Sequence, residues 1–315
     1  MNISVVMATY NGEKFIRKQL DSIRMQTRLP DEVLIFDDIS TDRTKEIVDS
    51  YIKEFELQES WHFHTNETNK GCIRNFLDGA QAAHGDIIFY ADQDDIWALN
   101  KIELMEEGFF NYPDMIACYC LRYFIDTNDN EIVLKHQNMT NVKVRTSGFQ
   151  KLSIAEAVRF NKSPGLCLAI KKELITETRE MILDNGLTHD LPIGTVAAIH
   201  NGYYVLNQKL VYYRQHGNNV SAARYDFKSR LTKKDKQIEG RIGRLIQMEA
   251  IFNKYHSELS EKDSKNLTRA IISTRKSIEH LKNRKIIKLF FSMFGCNPMM
   301  NRWIAVNNFL ISIRR

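Results

Sequence analysis

The stretch Asp86–Asp95, DIIFYADQDD, sets an uninterrupted apolar run, Ile87 to Ala91, directly before three carboxylates, Asp92, Asp94 and Asp95. An apolar run of this length bounded by polar residues reads as a strand covered on both faces. Three like charges at its end repel one another, so the pattern calls for a positive partner at the strand tip. Upstream, DEVLIFDD repeats the arrangement and ends on Asp37 and Asp38.

Working outward, ISVVMATY is a first strand, and the segment after Asn11-Gly12 has helical spacing at Phe15, Ile16, Leu20 and Ile23. Ser40, Thr41 and Asp42 offer capping oxygens to a helix carrying Ile47, Val48, Tyr51, Ile52 and Phe55 on one side. WHFHTN is a shorter strand, IRNFLDGAQAAH a helix, and DIIFYAD the fourth strand. Alternating strands and helices with short connections predict an α/β fold with a mainly parallel sheet flanked by helices. Beyond it the spacing predicts a helix from Asn100 to about Tyr112, a strand in MIACYCLRYFID, and a loop or small hairpin over 127–150. A short helix in SIAEAVRF, a strand in GLCLAIK and a helix in ELITETREMIL follow. TVAAIHN reads as helical, and YYVLNQKLVYYRQH as two short strands or one bent one. After Ser221 the pattern becomes long amphipathic helices.

The formal net charge of +5 conceals a division. From Arg224 onward there are 21 Lys+Arg against 8 Asp+Glu, whereas the first 223 residues carry 23 against 31. An acidic body with a basic tail suits a protein that grips a cation and lies near an anionic surface; a solvated basic helical face explains the same charges. The five cysteines are scattered without metal-type spacing, which predicts reduced thiols in a cytoplasmic protein. Cys118 and Cys120 alternate as small apolar residues on one strand face. MNISVVMATY lacks a basic leader, and no apolar run approaches the ~18 residues of a membrane span.

Ligands of open parallel sheets bind beyond the carboxyl ends of the strands, where both acidic clusters fall. No G-x-G-x-x-G and no phosphate-binding Gly-Lys-Ser/Thr loop occurs, which disfavours a nicotinamide-dependent oxidoreductase. Carboxylates that face diphosphate oxygens need a hard cation between them, and Mg²⁺ or Mn²⁺ prefers such oxygen ligands. In YYRQHGNN, Arg214 and His216 read as loop residues facing the site. Arg214 is suited to bind diphosphate, and His216 to bind the metal or donate a hydrogen bond to phosphate.

The ordered set SVVMATYNGEKFIRKQLDSIRMQT, DEVLIFDDISTDRT, NKGCIRNFLDGAQAAHGDIIFYADQDDIWALNKIE and YYRQHGNN resembles family 2 glycosyltransferases of GT-A (Rossmann-like) fold. The likeness is greatest to bacterial rhamnosyltransferase-like enzymes of surface polysaccharide synthesis. It covers residues 1–222, with a nucleotide-binding part over about 1–98 and an acceptor part over about 99–222; the basic helical region, 223–315, lies outside it. The resemblance implies that Thr9, Tyr10 and Asn11 border the nucleotide and that Asp38 accepts the N3–H of a uracil or thymine base. Asp37 would support the loop. Asp94 would be the principal metal ligand, Asp92 would bind ribose or assist with the cation, and Asp95 would stand behind them. The general base falls on Asp190 of LTHDLPIG, where Leu191-Pro192-Ile193 departs from the aromatic residues usual in such relatives. Asp190 as an ordinary helix N-terminus, with Pro192 in the first turn, is the competing reading.

The function implied is an inverting, metal-dependent transfer of a sugar, such as rhamnose, from a dTDP- or UDP-sugar to a growing polysaccharide or lipid-linked glycan. A non-catalytic nucleotide-sugar-binding regulatory or scaffolding subunit is the rival. The tail combines Lys282, Arg284, Lys285 and Lys288 with Ile286, Ile287, Leu289, Phe290, Phe291 and Trp303. Peripheral contact with a membrane surface, homodimerisation and packing on the catalytic part are equal readings of this segment. Nucleic-acid binding would require steep salt dependence and is the weaker alternative.

Overall fold

Continuous apolar strands must be covered on both faces, and the helices between them supply that cover. The computed structural model describes residues 1–133, 147–159, 165–216 and 234–282. Its first half runs β1 (Ile3–Thr9), α1 (Ile16–Arg24), β2 (Glu32–Asp37), α2 (Thr44–Glu54), β3 (Trp61–Thr65), α3 (Cys72–Ala82) and β4 (Ile87–Asp92). Strands β3, β2, β1 and β4 pair in that order, all parallel. The chain thus winds outward from β1 to β3 and then crosses back to place β4 on the other side of β1. That reversal opens a crevice at the carboxyl ends of β1 and β4. Of the apolar positions predicted on the two helices, Ile16, Leu20, Ile23, Val48, Tyr51 and Ile52 are buried, while Phe15, Ile47 and Phe55 are half-buried.

The second half contains β5 (Ile96–Trp97), α4 (Lys101–Asn111), β6 (Ala117–Ile125), β7 (Phe149–Lys151), α5 (Ile154–Arg159), β8 (Leu168–Lys171), α6 (Lys172–Asp184), α7 (Asp190–Ile199) and β9 (Tyr203–Arg214). Here the sheet departs from a purely parallel one. Strand β8 enters antiparallel between β4 and β6, while β6 and β9 pair parallel. Two antiparallel pairings in succession restore the direction, so β6 and β9 run the same way as β4. Their carboxyl ends, Ile125 and Arg214, therefore reach the same sheet edge as Asp92. The segment read as one bent strand or two is one strand, β9, with register shifts against β6 on either side of Leu121. Trp97 is core, as are Cys118 and Cys120; the described cysteines are all free thiols.

Helices α8 (Lys234–Tyr255) and α9 (Glu261–Lys282) form a hairpin whose buried residues include Met248, Ile251, Tyr255, Leu267 and Ala270. The hairpin packs on the first part of the chain: Arg244 donates to the Val158 carbonyl of α5, and Gln247 Nε2 donates to Thr188 Oγ1 at 2.8 Å. The tail segment from Arg284 to Trp303 lies outside the described residues, as does most of the 127–150 loop. No helix among the described residues is long and apolar enough to cross a membrane.

Gly79 lets α3 lie directly on the sheet, because a Cβ there would stand 2.5 Å from Val6 Cγ1 and 3.1 Å from the Phe36 ring. Gly79→Ala is expected to lower the unfolding free energy by about 1–3 kcal/mol through overpacking, as measured by urea denaturation.

Candidate active site

The crevice at the sheet edge has a volume of about 1330 Å³. Thr9, Tyr10, Asn11, Asp38, Asp92, Asp94, Asp190 and His216 all line it, although they come from five separated stretches of the chain.

One wall is a set of loops bonded to one another. Buried Thr9 gives its hydroxyl to Asp37 Oδ1 at 2.8 Å, and Ser40 N–H donates to Asp37 Oδ2 at 2.8 Å. Asp37 therefore supports the loop after β2. Asn11, in the left-handed region at φ 51°, donates its N–H to Ser40 Oγ and accepts Thr41 N–H on its side-chain oxygen. Asp42 accepts from Thr44 N at the start of α2 and from Glu13 N, joining the same two loops. Gln93, the middle residue of Asp92-Gln93-Asp94, bonds Tyr10 twice: its oxygen accepts Tyr10 N–H at 2.8 Å and its nitrogen donates to Tyr10 O at 2.9 Å. Tyr10 itself is half exposed in the crevice.

Asp38 is buried, and its carboxylate accepts Asn66 Nδ2, Lys70 N–H and Gly71 N–H at 3.0, 2.7 and 2.7 Å. A carboxylate offers about four lone-pair sites. Three hold the 66–71 loop over the crevice, and one acceptor direction is left for a ligand. Gly71 makes this turn at φ 80°, a conformation that glycine adopts without strain.

Asp92, Asp94 and Asp95 bring carboxylate oxygens within 4.8 Å of one another. Burial, followed by the Asp94 charge, pushes Asp92 up to about 7, and Asp190 adds to the rise. Burial, followed by the charges of Asp94 and Asp92, also raises Asp95 well above the usual carboxylate range. Beneath them lies the fully buried Lys101, whose Nζ donates to Leu166 O at 2.9 Å and sits 3.4 Å over the Trp97 ring. Burial pulls this lysine down to about 8. A hard, oxygen-only donor set under mutual repulsion fits Mg²⁺ or Mn²⁺. His216 Nε2 approaches Asp94 Oδ2 at 2.5 Å while its ring stacks on Phe15.

Arg214 departs from its expected place. It closes β9 instead of lying on a loop, and its side chain is fully buried. Arg214 N–H donates to Asp95 Oδ1 at 3.0 Å, Nε to Asp94 O at 2.8 Å and Nη1 to Asp126 O at 2.9 Å, with an ion pair to Asp129. The guanidinium therefore grips the acidic turn from behind, where it does not line the crevice. The parallel direction of β9 puts it there.

Asp190 opens α7, half-buried, with Oδ1 accepting Leu191 N–H at 3.0 Å. It is thus both a helix-terminal residue and a crevice residue. The residues that the sequence reading passed over are Gln93, Asn66, Lys70 and Lys101. A lysine opening a helix is ordinary in sequence, and only burial makes it unusual; the N-K-G before α3 was the available signal for the loop.

A family model described as Glycosyl transferase family 2 matches residues 4–166. The chain is 30% identical over 240 residues to the dTDP-rhamnosyl transferase RfbG of Shigella flexneri, covering 71% of this chain and 76% of that protein. Among solved structures it resembles S. aureus TarS 1-349 in complex with UDP, with TM-score 0.58, 17% identity, and coverage of 99% and 81% of the two chains. It also resembles the mannosyltransferase PcManGT of Pyrobaculum calidifontis in complex with GDP-Man and Mn²⁺, with TM-score 0.53, 16% identity, and coverage of 99% and 85%.

Arg214→Met is expected to lower the unfolding free energy by about 3–5 kcal/mol, since it strips buried acceptors and Asp129 of their partner. Chemical denaturation checks this, with Arg214→Lys falling between the two.

Proposed function

The chain belongs to glycosyl transferase family 2, and from that premise we propose that it transfers a sugar, with inversion, from a dTDP- or UDP-sugar to a hydroxyl of a growing surface polysaccharide or lipid-linked glycan. The observation that carries this reading is the opposition, across one crevice, of the Asp92/Asp94 pair and Asp190. The 30% identical dTDP-rhamnosyl transferase supports a rhamnosyl donor. Residues 1–222 form the catalytic unit in this reading, and 223–315 an appended helical region.

Asp92 and Asp94 would hold Mg²⁺ or Mn²⁺, which the Mn²⁺ complex of the mannosyltransferase neighbour supports. When bound, the ion neutralises the charge that develops on the departing nucleoside diphosphate. Asp38 offers its remaining lone pair to the N3–H of the base, with Tyr10 and Asn11 beside the nucleotide. Arg214 fixes the acidic turn from behind, and the buried Lys101 supplies a positive charge near it. Asp190 takes the proton of the acceptor hydroxyl as that oxygen attacks the anomeric carbon, and its bond to Leu191 N–H holds the carboxylate in one orientation. Gln247 of α8, bonded to Thr188, braces the turn that leads into this base.

Asp94→Ala is expected to abolish Mn²⁺-dependent turnover of the donor, measured as nucleoside diphosphate release; unchanged turnover would remove the metal assignment. Asp190→Asn is expected to slow transfer by about 10²–10⁴-fold while calorimetry shows donor binding retained. A near-normal rate would point to a different base, and binding without any transfer by the unaltered protein would favour a non-catalytic subunit.

A further inference from the structure

A buried polar side chain on the crevice wall that this reaction leaves unused is His189. The residue is 8% exposed, and its ring packs against Phe76 of α3 and Tyr90 of β4, each with its centroid 5.1 Å away, while those two rings also touch each other. Among the described residues, neither Nδ1 nor Nε2 has a hydrogen-bond partner. The same holds for the buried Tyr90 hydroxyl and for Asn75 Nδ2 on α3. Buried polar atoms are paired in the great majority of cases, so three such atoms on two residues of the crevice wall, His189 and Asn75, mark a place where a ligand supplies the partners. His189, Asn75 and Phe76 line the crevice itself.

Gly165 faces the same ring: a Cβ there would stand 2.1 Å from His189 Nε2. A side chain at that position would displace the imidazole. Two aromatic neighbours hold the ring, which leaves its nitrogens as the polar contacts it can offer. Burial lowers the His189 pKa, so the ring is neutral, with one N–H donor and one acceptor. A sugar hydroxyl also donates and accepts, and so matches both.

Position decides which sugar. His189 adjoins Asp190, and both line the crevice together with Asp92 and Asp94, so in this reading the group in transfer lies in the space they share. His189 is also more deeply buried than the half-buried Asp190, and the acceptor hydroxyl has to reach Asp190 first. Resting on the glycosyltransferase reading above, we propose that His189 is a specificity-determining residue that hydrogen-bonds a hydroxyl of the transferred sugar and has no contact with the nucleotide.

The test is calorimetric titration, with Mn²⁺ present, of dTDP-rhamnose against dTDP and of UDP-GlcNAc against UDP. In the pair that the unaltered protein binds, His189→Phe is expected to weaken the nucleotide sugar about tenfold and leave the bare nucleotide within about twofold. His189→Gln, which keeps a donor and an acceptor, should recover most of the loss. Gly165→Ala displaces the imidazole while keeping histidine at 189 and should reproduce the sugar-selective loss, which keeps the test open if His189→Phe folds poorly. Equal weakening of both ligands, or no change in either, overturns the contact while leaving the enzyme reading intact. An unaltered protein that binds none of the four ligands overturns both.

Discussion

The acidic turn after β4 governs the rest of the molecule's layout. At an effective dielectric near 20, two like charges about 5 Å apart repel by about 3 kcal/mol, and the turn holds three carboxylates within that range. Exposed ion pairs contribute about 0–1 kcal/mol and would not hold such a turn in shape. The fold instead places cations where water does not screen them. Arg214 is bonded through its backbone to Asp95 and through its guanidinium to Asp94 O, and Lys101 lies underneath. Neither cation lines the crevice, where Asp94 meets His216 instead.

The neighbouring loops share this rigidity because each is tied to another by side chain to backbone bonds. Gln93 joins the acidic turn to Tyr10, Asn11 joins the β1 loop to Ser40 and Thr41, and Asp38 holds the 66–71 loop. Groups that must bind a transition state are best held before substrate arrives. The opposite wall is built differently, from the start of α7, and is braced by α8 through Gln247 and Thr188. The helical hairpin thereby bears on the position of Asp190, which gives the basic region a structural part in the site whatever else it contacts.

The sequence by itself determined the winding of the first half. Continuous apolar runs and helical spacing are local properties, and β1 to β4 with their helices lie where those patterns put them. Asp37, Asp38, Asp92 and Asp94 were legible for the same reason, since strand tips can be located from pattern alone, whereas Asp190 was picked out only by the resemblance. The resemblance then attached chemistry to those positions. The sequence also predicted the helices after Ser221, as far as Lys282 is described.

What only the tertiary structure decided depends on contacts between distant segments. No local pattern announces that β8 enters antiparallel, yet that insertion sends β9 back toward Asp92 and converts Arg214 from an expected diphosphate ligand into a buried clamp. Asp38 spends most of its lone pairs on a loop some 30 residues away. Lys101 and His189 look ordinary in the chain and become unusual only through burial, because desolvation and the pairing of polar atoms are properties of surroundings that sequence spacing does not encode.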